Sequence, residues 1–250
     1  MVDFWTQTSG TWINVFAVIL GTAVGLSLRD RLPQPMQRVI TQSLGLITLL
    51  IGAEMGRGLF DLRAGAVDGV IVGLLALVGG GLLGEWWGIE GRLEAIGSWL
   101  KRRFRGQGRF TDGFVAASLL FCIGPLALIG SLNNGLSGDN ALLVIKAVMD
   151  GLASVALTST FGVGVGFSAL PILLYQGGLS LSAAGLAQVL PDPATSPAIL
   201  SSTGVGGLII MGLGLTLLEA AQIRIASLLP ALLLAPLLYL LGSVLTVVAG

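Results

Sequence analysis

Between Phe121 and Thr160 the chain reads FCIGPLALIGSLNNGLSGDNALLVIKAVMDGLASVALTST, its densest run of polar groups set in apolar sequence. Taken as a helix from Ala141, the residues Lys146, Asp150, Ser154 and Thr158 recur at every fourth position and lie on one slowly drifting stripe. The surrounding residues are those of a membrane span, where a charge at the centre costs about 2.5–3.5 kcal/mol on insertion scales. The stripe must therefore look into a bundle or into water. An ionisable residue in that setting points first to an ion, proton or substrate pathway. The structural alternative is a neutralising Lys146/Asp150 pair that only holds helices together, although lysine ahead of the acid is the weaker orientation for such a pair.

Ahead of the stripe lies Asn133, Asn134, Gly135, Leu136, Ser137, Gly138, Asp139 and Asn140, read as an eight-residue break rich in side-chain oxygens. Asp139 or Asn140 would cap the following helix, satisfying donors that lipid cannot. Equally, these oxygens and the freed carbonyls could receive a hard cation, for which carboxylate, amide and carbonyl groups are suited. Pro125 and Pro171 fall near the middle of the spans on either side of the stripe. Each removes an amide donor, and broken helices at the midplane are where transporters place substrate; a packing kink is the simpler reading of both. Glu54, one turn ahead of Arg57, is a secondary candidate whose place near an interface also allows it to reach water, and Gln42 and Glu85 are weaker still.

The elements that must position these groups are membrane helices. Of 250 residues, 54% are hydrophobic and 10% charged, against about 25% charged in a soluble domain. Apolar stretches of the length a bilayer requires recur from end to end, near 11–28, 39–57, 68–89, 113–132, 141–158, 160–178, 197–218 and 228–248. The expected fold is thus an all-α integral membrane protein, a single domain over 1–250 built as a glycine-rich bundle of about eight spans. Met1 to Gly10 has no base and no cleavage pattern, so the first apolar segment is expected to remain as a span. Arg29, Arg31, Arg38, Arg92, Lys101, Arg102, Arg103, Arg105, Arg109 and Arg224 fall on one predicted side, against Arg57 and Arg63 on the other. The positive-inside rule then puts both termini outside the cytoplasm.

The connection over 90–112 carries Leu93, Ile96, Trp99, Leu100 and Phe104 on one helical face beside Lys101 to Arg105, and reads as a cytoplasmic interfacial helix. It would contact anionic lipid or a regulatory partner, or it simply fixes orientation. Trp5, Trp12, Trp86 and Trp87 sit near span ends, as interfacial anchors do. Thirty-eight glycines, several at four-residue spacing as in Gly21/Gly25, Gly52/Gly56, Gly80/Gly84 and Gly162/Gly166, allow close helix packing within the bundle or a homo-oligomer face. Short Gly-rich similarities link Ile19–Leu28, Leu77–Trp86 and Ile210–Glu219, too brief to establish a duplicated fold.

Composition also excludes chemistry. Histidine is absent and Cys122 is the single cysteine, which removes serine–histidine and zinc-protease machinery, internal disulfides and cysteine-rich metal sites. No GxxxxGK[ST] occurs, so no nucleotide cofactor is expected. The formal charge of zero gives no field for nucleic acid.

The segments FCIGPLALIGSLNNGLSGDN, KAVMDGLAS, PILLYQGGL and LLPALLLAP resemble the recurring segments of the bacterial membrane family known as domain of unknown function 554, the YdfK-like proteins, over nearly the whole chain. The resemblance implies a multi-pass protein of the bacterial cytoplasmic membrane and assigns no catalytic or binding residue. Asn134 and Ser201 stand where similar sequences often carry acids, which weakens any proton-coupled role for those two positions and leaves Asp139 and Asp150 as the better candidates. A weaker likeness joins SGDNALLVIKAVMDG to the Asp-centred helices of small metal exporters. The functional expectation is a non-enzymatic secondary transporter or ion-conducting protein for a small ion or solute, with its pathway along the fifth span and Asn133, Asn134 and Asp139 near the outer mouth. Alternatives are a structural or regulatory membrane protein acting through the basic helix and, remotely, an intramembrane aspartyl protease using Asp139 and Asp150. Those two acids would stand about 16 Å apart on a helix, too far to share a proton.

Overall fold

A computed structural model describes residues 3–29, 31–189 and 196–249, with side-chain environments described except at Pro125, 184–189 and 246–249. Ten α-helices run through the described residues: α1 (Phe4–Arg29), α2 (Gln34–Arg57), α3 (Gly69–Trp86), α4 (Ile89–Arg103), α5 (Phe110–Cys122), α6 (Pro125–Ser137), α7 (Ala141–Phe161), α8 (Ala169–Val189), α9 (Pro197–Leu217) and α10 (Ala231–Ala249). The described strands are a two-residue pair, β1 (Arg63–Ala64) and β2 (Val67–Asp68), antiparallel with Arg63 opposite Asp68. Among the described residues, seven helical segments are long and apolar enough to cross a membrane, and the bent pair α5/α6 makes an eighth if it is one span. Seven of the expected spans thus fall on single helical segments, and the fourth falls on the bent pair.

That fourth span is divided. α5 and α6 meet at about 60°, with Gly124 at φ 148° between them and Pro125 opening α6, the position where a missing amide is tolerated. Once started, α6 continues to Ser137 and ends at Gly138, whose φ of 77° lies in the left-handed region, a C-terminal geometry glycine adopts without strain. The expected eight-residue break is thus corrected to three residues, Gly138–Asn140: Asn133 to Ser137 are helical because Pro125 sets an uninterrupted register through them. Pro171 lies near the middle of the sixth span, Val163–Ala183, as expected. It sits in the first turn of α8, where no intrahelical bond is owed, and the departure from α-helix lies upstream, in the tighter 3₁₀ turns over Val163–Ser168.

The chain divides into two compact units, residues 1–44 with 94–191 and 45–93 with 192–250. In the first, α1 runs parallel to α7, Gly10 lying on Leu143 and Gly25 on Thr158. A Cβ at Gly25 would stand 2.7 Å from both the Thr158 Cβ and the Val155 carbonyl oxygen, so the two backbones meet at a distance only glycine allows. Gly135 of α6 packs on Ser180 of α8, and the Ser180 hydroxyl donates to the Ser131 carbonyl at 3.0 Å.

In the second unit the part of α2 from Gly45 runs antiparallel to α9, Gly45 facing Gly214 and Gly52 facing Gly207. α3 packs on the start of α10 through Gly80 against Ala231. Glu90 closes the turn before α10, its carboxylate accepting from the Ala226 and Ser227 amides at 2.9 and 3.2 Å. Arg224 pairs with Glu85 at 2.9 Å.

Candidate functional site

The stripe on α7 meets partners from two other helices of the first unit. Lys146 and Asp150 are 5% and 7% exposed, and the Lys146 ammonium donates to Asp150 Oδ2. The same carboxylate oxygen accepts from Asn14 Nδ2 of α1 at 2.9 Å. That amide nitrogen also donates to Gln176 Oε1 of α8 at 3.2 Å. Below the pair, the Ser154 hydroxyl donates to the Asp150 carbonyl at 2.7 Å. The Phe121 ring centre stands 6.0 Å from Lys146 Nζ, the outer limit of a cation–π contact. Two opposite charges and two amides from three helices thus form one buried network of zero net charge.

The network is incompletely paired. Asn14 Oδ1 and Gln176 Nε2 are buried without a hydrogen-bond partner, as are the hydroxyls of Thr11, Thr22, Ser131 and Thr158. Buried polar atoms are satisfied in the great majority of cases, and leaving one unpaired costs roughly 1–3 kcal/mol. Here an acceptor and a donor remain open beside an ion pair.

Residues 9–240 match the family described as "Protein of unknown function (DUF554)". The chain belongs to that family. It is similar to the "Uncharacterized membrane protein YdfK" of Bacillus subtilis (strain 168), at 30% identity over 91% of this chain and 93% of that protein. It is also similar to the "Uncharacterized protein YqgA" of Escherichia coli (strain K12), at 29% identity over 90% and 94%. No solved structure matches.

In this DUF554 protein the other expected positions separate from the ion pair. Asn134 is fully buried and fastens α1: its Oδ1 accepts from the Gly10 amide at 3.0 Å, and its Nδ2 donates to the Thr6 carbonyl at 2.9 Å and to Ser9 Oγ at 3.1 Å. Asn140 Nδ2 also donates to Ser9 Oγ, at 2.9 Å. Asp139 is exposed and caps α7, accepting from the Ala141 amide at 3.0 Å. Asn133 is half-buried, its carbonyl accepting from Ser137 Oγ at 2.9 Å. These contacts are capping and clamping, and they position helices. Thr158 is buried against Gly25, so the lower part of the stripe is sealed by the α1–α7 seam. Glu54 and Gln42 are exposed, and Glu85 belongs to the Arg224 pair of the second unit.

Sequence reading did not select Asn14 and Gln176. Each is a lone amide in an apolar run, TWINVFAVIL and PILLYQGGL, and a lone amide carries no periodic signal. Its cost at membrane depth was the available clue: an uncharged polar group buried in a span needs a partner on another helix.

Proposed function

We propose that this protein is a secondary transporter of a small ion or solute, with its central site at Asp150, Lys146, Asn14 and Gln176. The observation that carries the reading is the buried ion pair in α7, bonded to amides of two further helices and bordered by an unpartnered acceptor and donor. A purely structural pair would gain by complete pairing, since a half-satisfied polar network is poorer than an apolar core. The glycine seam that covers Ser154 and Thr158 supports an enclosed site opened by helix movement over a continuous pore. The excess of bases on one predicted side supports a bacterial cytoplasmic-membrane location with both termini outside the cytoplasm.

Reconstitution in proteoliposomes on a solid-supported membrane tests this, with jumps of sodium, potassium, ammonium and small organic-acid salts. Wild type should give a transport current for at least one, and Asp150→Asn should give none while remaining folded. Equal signals from both forms, silence included, would overturn the proposal.

A second reading has its own observation. On α4 and just beyond, Ile96, Trp99 and Phe104 are 50–58% exposed beside Lys101 to Arg105, the composition of a helix lying at an anionic lipid surface. Such a helix would regulate or anchor the protein. Its deletion should leave flux if the transport reading holds.

A further inference from the structure

Resting on that transport reading, we propose that the ion pair makes this protein an exchanger of a monovalent cation for a proton, with Asp150 as cation ligand and Lys146 as proton carrier. The constraint is electrical. An uncompensated charge at membrane depth costs several kcal/mol, and the resting site is neutral because Lys146 compensates Asp150. A cation that joins the Asp150 carboxylate restores neutrality only if the Lys146 ammonium gives up its proton. The balance is Lys–NH₃⁺·⁻OOC–Asp plus M⁺ giving Lys–NH₂, M⁺·⁻OOC–Asp and H⁺, the proton passing to solvent. A divalent ion would leave one positive charge in excess even then. Among the described residues no group of three or more Asp, Glu, His or Cys side chains could hold one.

The donors of the site fit this exchange. Asp150 Oδ2 and Gln176 Oε1, from different helices, already converge on one point, the Asn14 amide nitrogen, at 2.9 and 3.2 Å. The Asn14 oxygen is the buried acceptor without a partner. The terminal torsion of an asparagine is roughly two-fold. A half-turn would bring that oxygen toward the other two, turning a point occupied by an N–H into one lined by three oxygens, the ligand type hard cations take. In the resting state two nitrogens, Lys146 Nζ and Asn14 Nδ2, hold the place of the cation on one carboxylate oxygen. Around the pair, α1 contributes the neutral Asn14, α5 the Phe121 ring with Cys122 next to it in sequence, and α8 the neutral Gln176. None of these supplies a second fixed charge to take over the role of Lys146.

The test is proton release on cation binding, measured with a pH indicator on the full-length protein in weakly buffered detergent. Lithium, sodium and potassium chlorides are added in turn, with choline chloride as control. Wild type should release close to one proton per chain with at least one of the three. Lys146→Arg, whose guanidinium keeps its proton, should give neither proton release nor a thermal shift with the same cation, because the charge the cation adds has no counter-charge to displace. The double variant Lys146→Gln/Asp150→Asn keeps a neutral, hydrogen-bonding pair and should fold yet show neither effect. Release that persists in Lys146→Arg, or none from wild type, would overturn the exchange. Proton uptake on adding choline acetate or phosphate would also overturn it in favour of anion–proton symport, and the transport reading would survive. Solute currents that depend on Asp150 without any linked proton would separate the two in the same way.

Discussion

The two units solve the same packing problem and differ in what they bury. Each closes helix pairs through facing glycines, Gly21 and Gly25 of α1 against α7 in the first and Gly52 against Gly207 in the second. In the second unit, however, the buried polar residues among those described are Thr48, Ser201 and Ser227, and its ion pairs, Glu85 with Arg224 and Arg63 with Asp68, are about half exposed or more. The first unit buries Asn14, Asn134, Lys146, Asp150 and Gln176 together with many hydroxyls, and every buried unpartnered side-chain atom described in the chain lies there. Glycine seams alone are therefore sufficient to build such a unit, and the polar interior of the first is an addition that packing did not require.

The sharpest way to break this contrast is to remove one charge. Asp150→Ala should destabilise the protein by about 3–5 kcal/mol, because it leaves the Lys146 ammonium buried and unpaired. The double change Lys146→Met/Asp150→Leu should recover most of that stability and no transport. Denaturation in detergent, followed by helical circular dichroism, checks both; equal losses in the single and double variants would mean that the pair is a structural device.

Seam substitutions should erase the contrast. Gly21→Val and Gly207→Val each drive a side chain into a facing backbone and should cost about 1–3 kcal/mol apiece, measured as lowered melting temperature. A cost confined to one unit would show that the seams are not equivalent. The smallest effect belongs to the end of the second unit. Glu90→Gln weakens the charge-assisted cap on the Ala226 and Ser227 amides and should cost about 1 kcal/mol with transport currents unchanged. A loss of current in that variant would extend the functional region beyond the first unit.

The spans were legible because lipid demands long apolar runs, and seven of the eight runs coincide with single apolar helical segments among the described residues, the fourth with the bent pair α5/α6. Lys146 and Asp150 were legible because helical spacing is local, so i and i+4 can be placed without knowing the fold. What could not be read was tertiary. Asn14 and Gln176 acquire meaning only when α1 and α8 are brought to α7, and Asn134 reads as an open ligand until Thr6 and Gly10 are seen to occupy its amide. Pro171 was placed correctly near the middle of its span, but the break itself lies upstream, because the 3₁₀ turns over Val163–Ser168 set where α8 starts.

The clamp on α1 also bears on how the chain is made. α1 carries Gly10 and Asn14, whose partners Asn134, Asp150 and Gln176 lie 124, 136 and 162 residues later in the chain. At bacterial or eukaryotic synthesis rates of about 5–20 residues per second, the last of these emerges roughly 8–30 s after Asn14. Throughout that interval the amide of Asn14 lacks its native partners in the membrane. The α1 span must therefore wait, held at the insertion site or hydrated beside it, until α8 arrives to complete it.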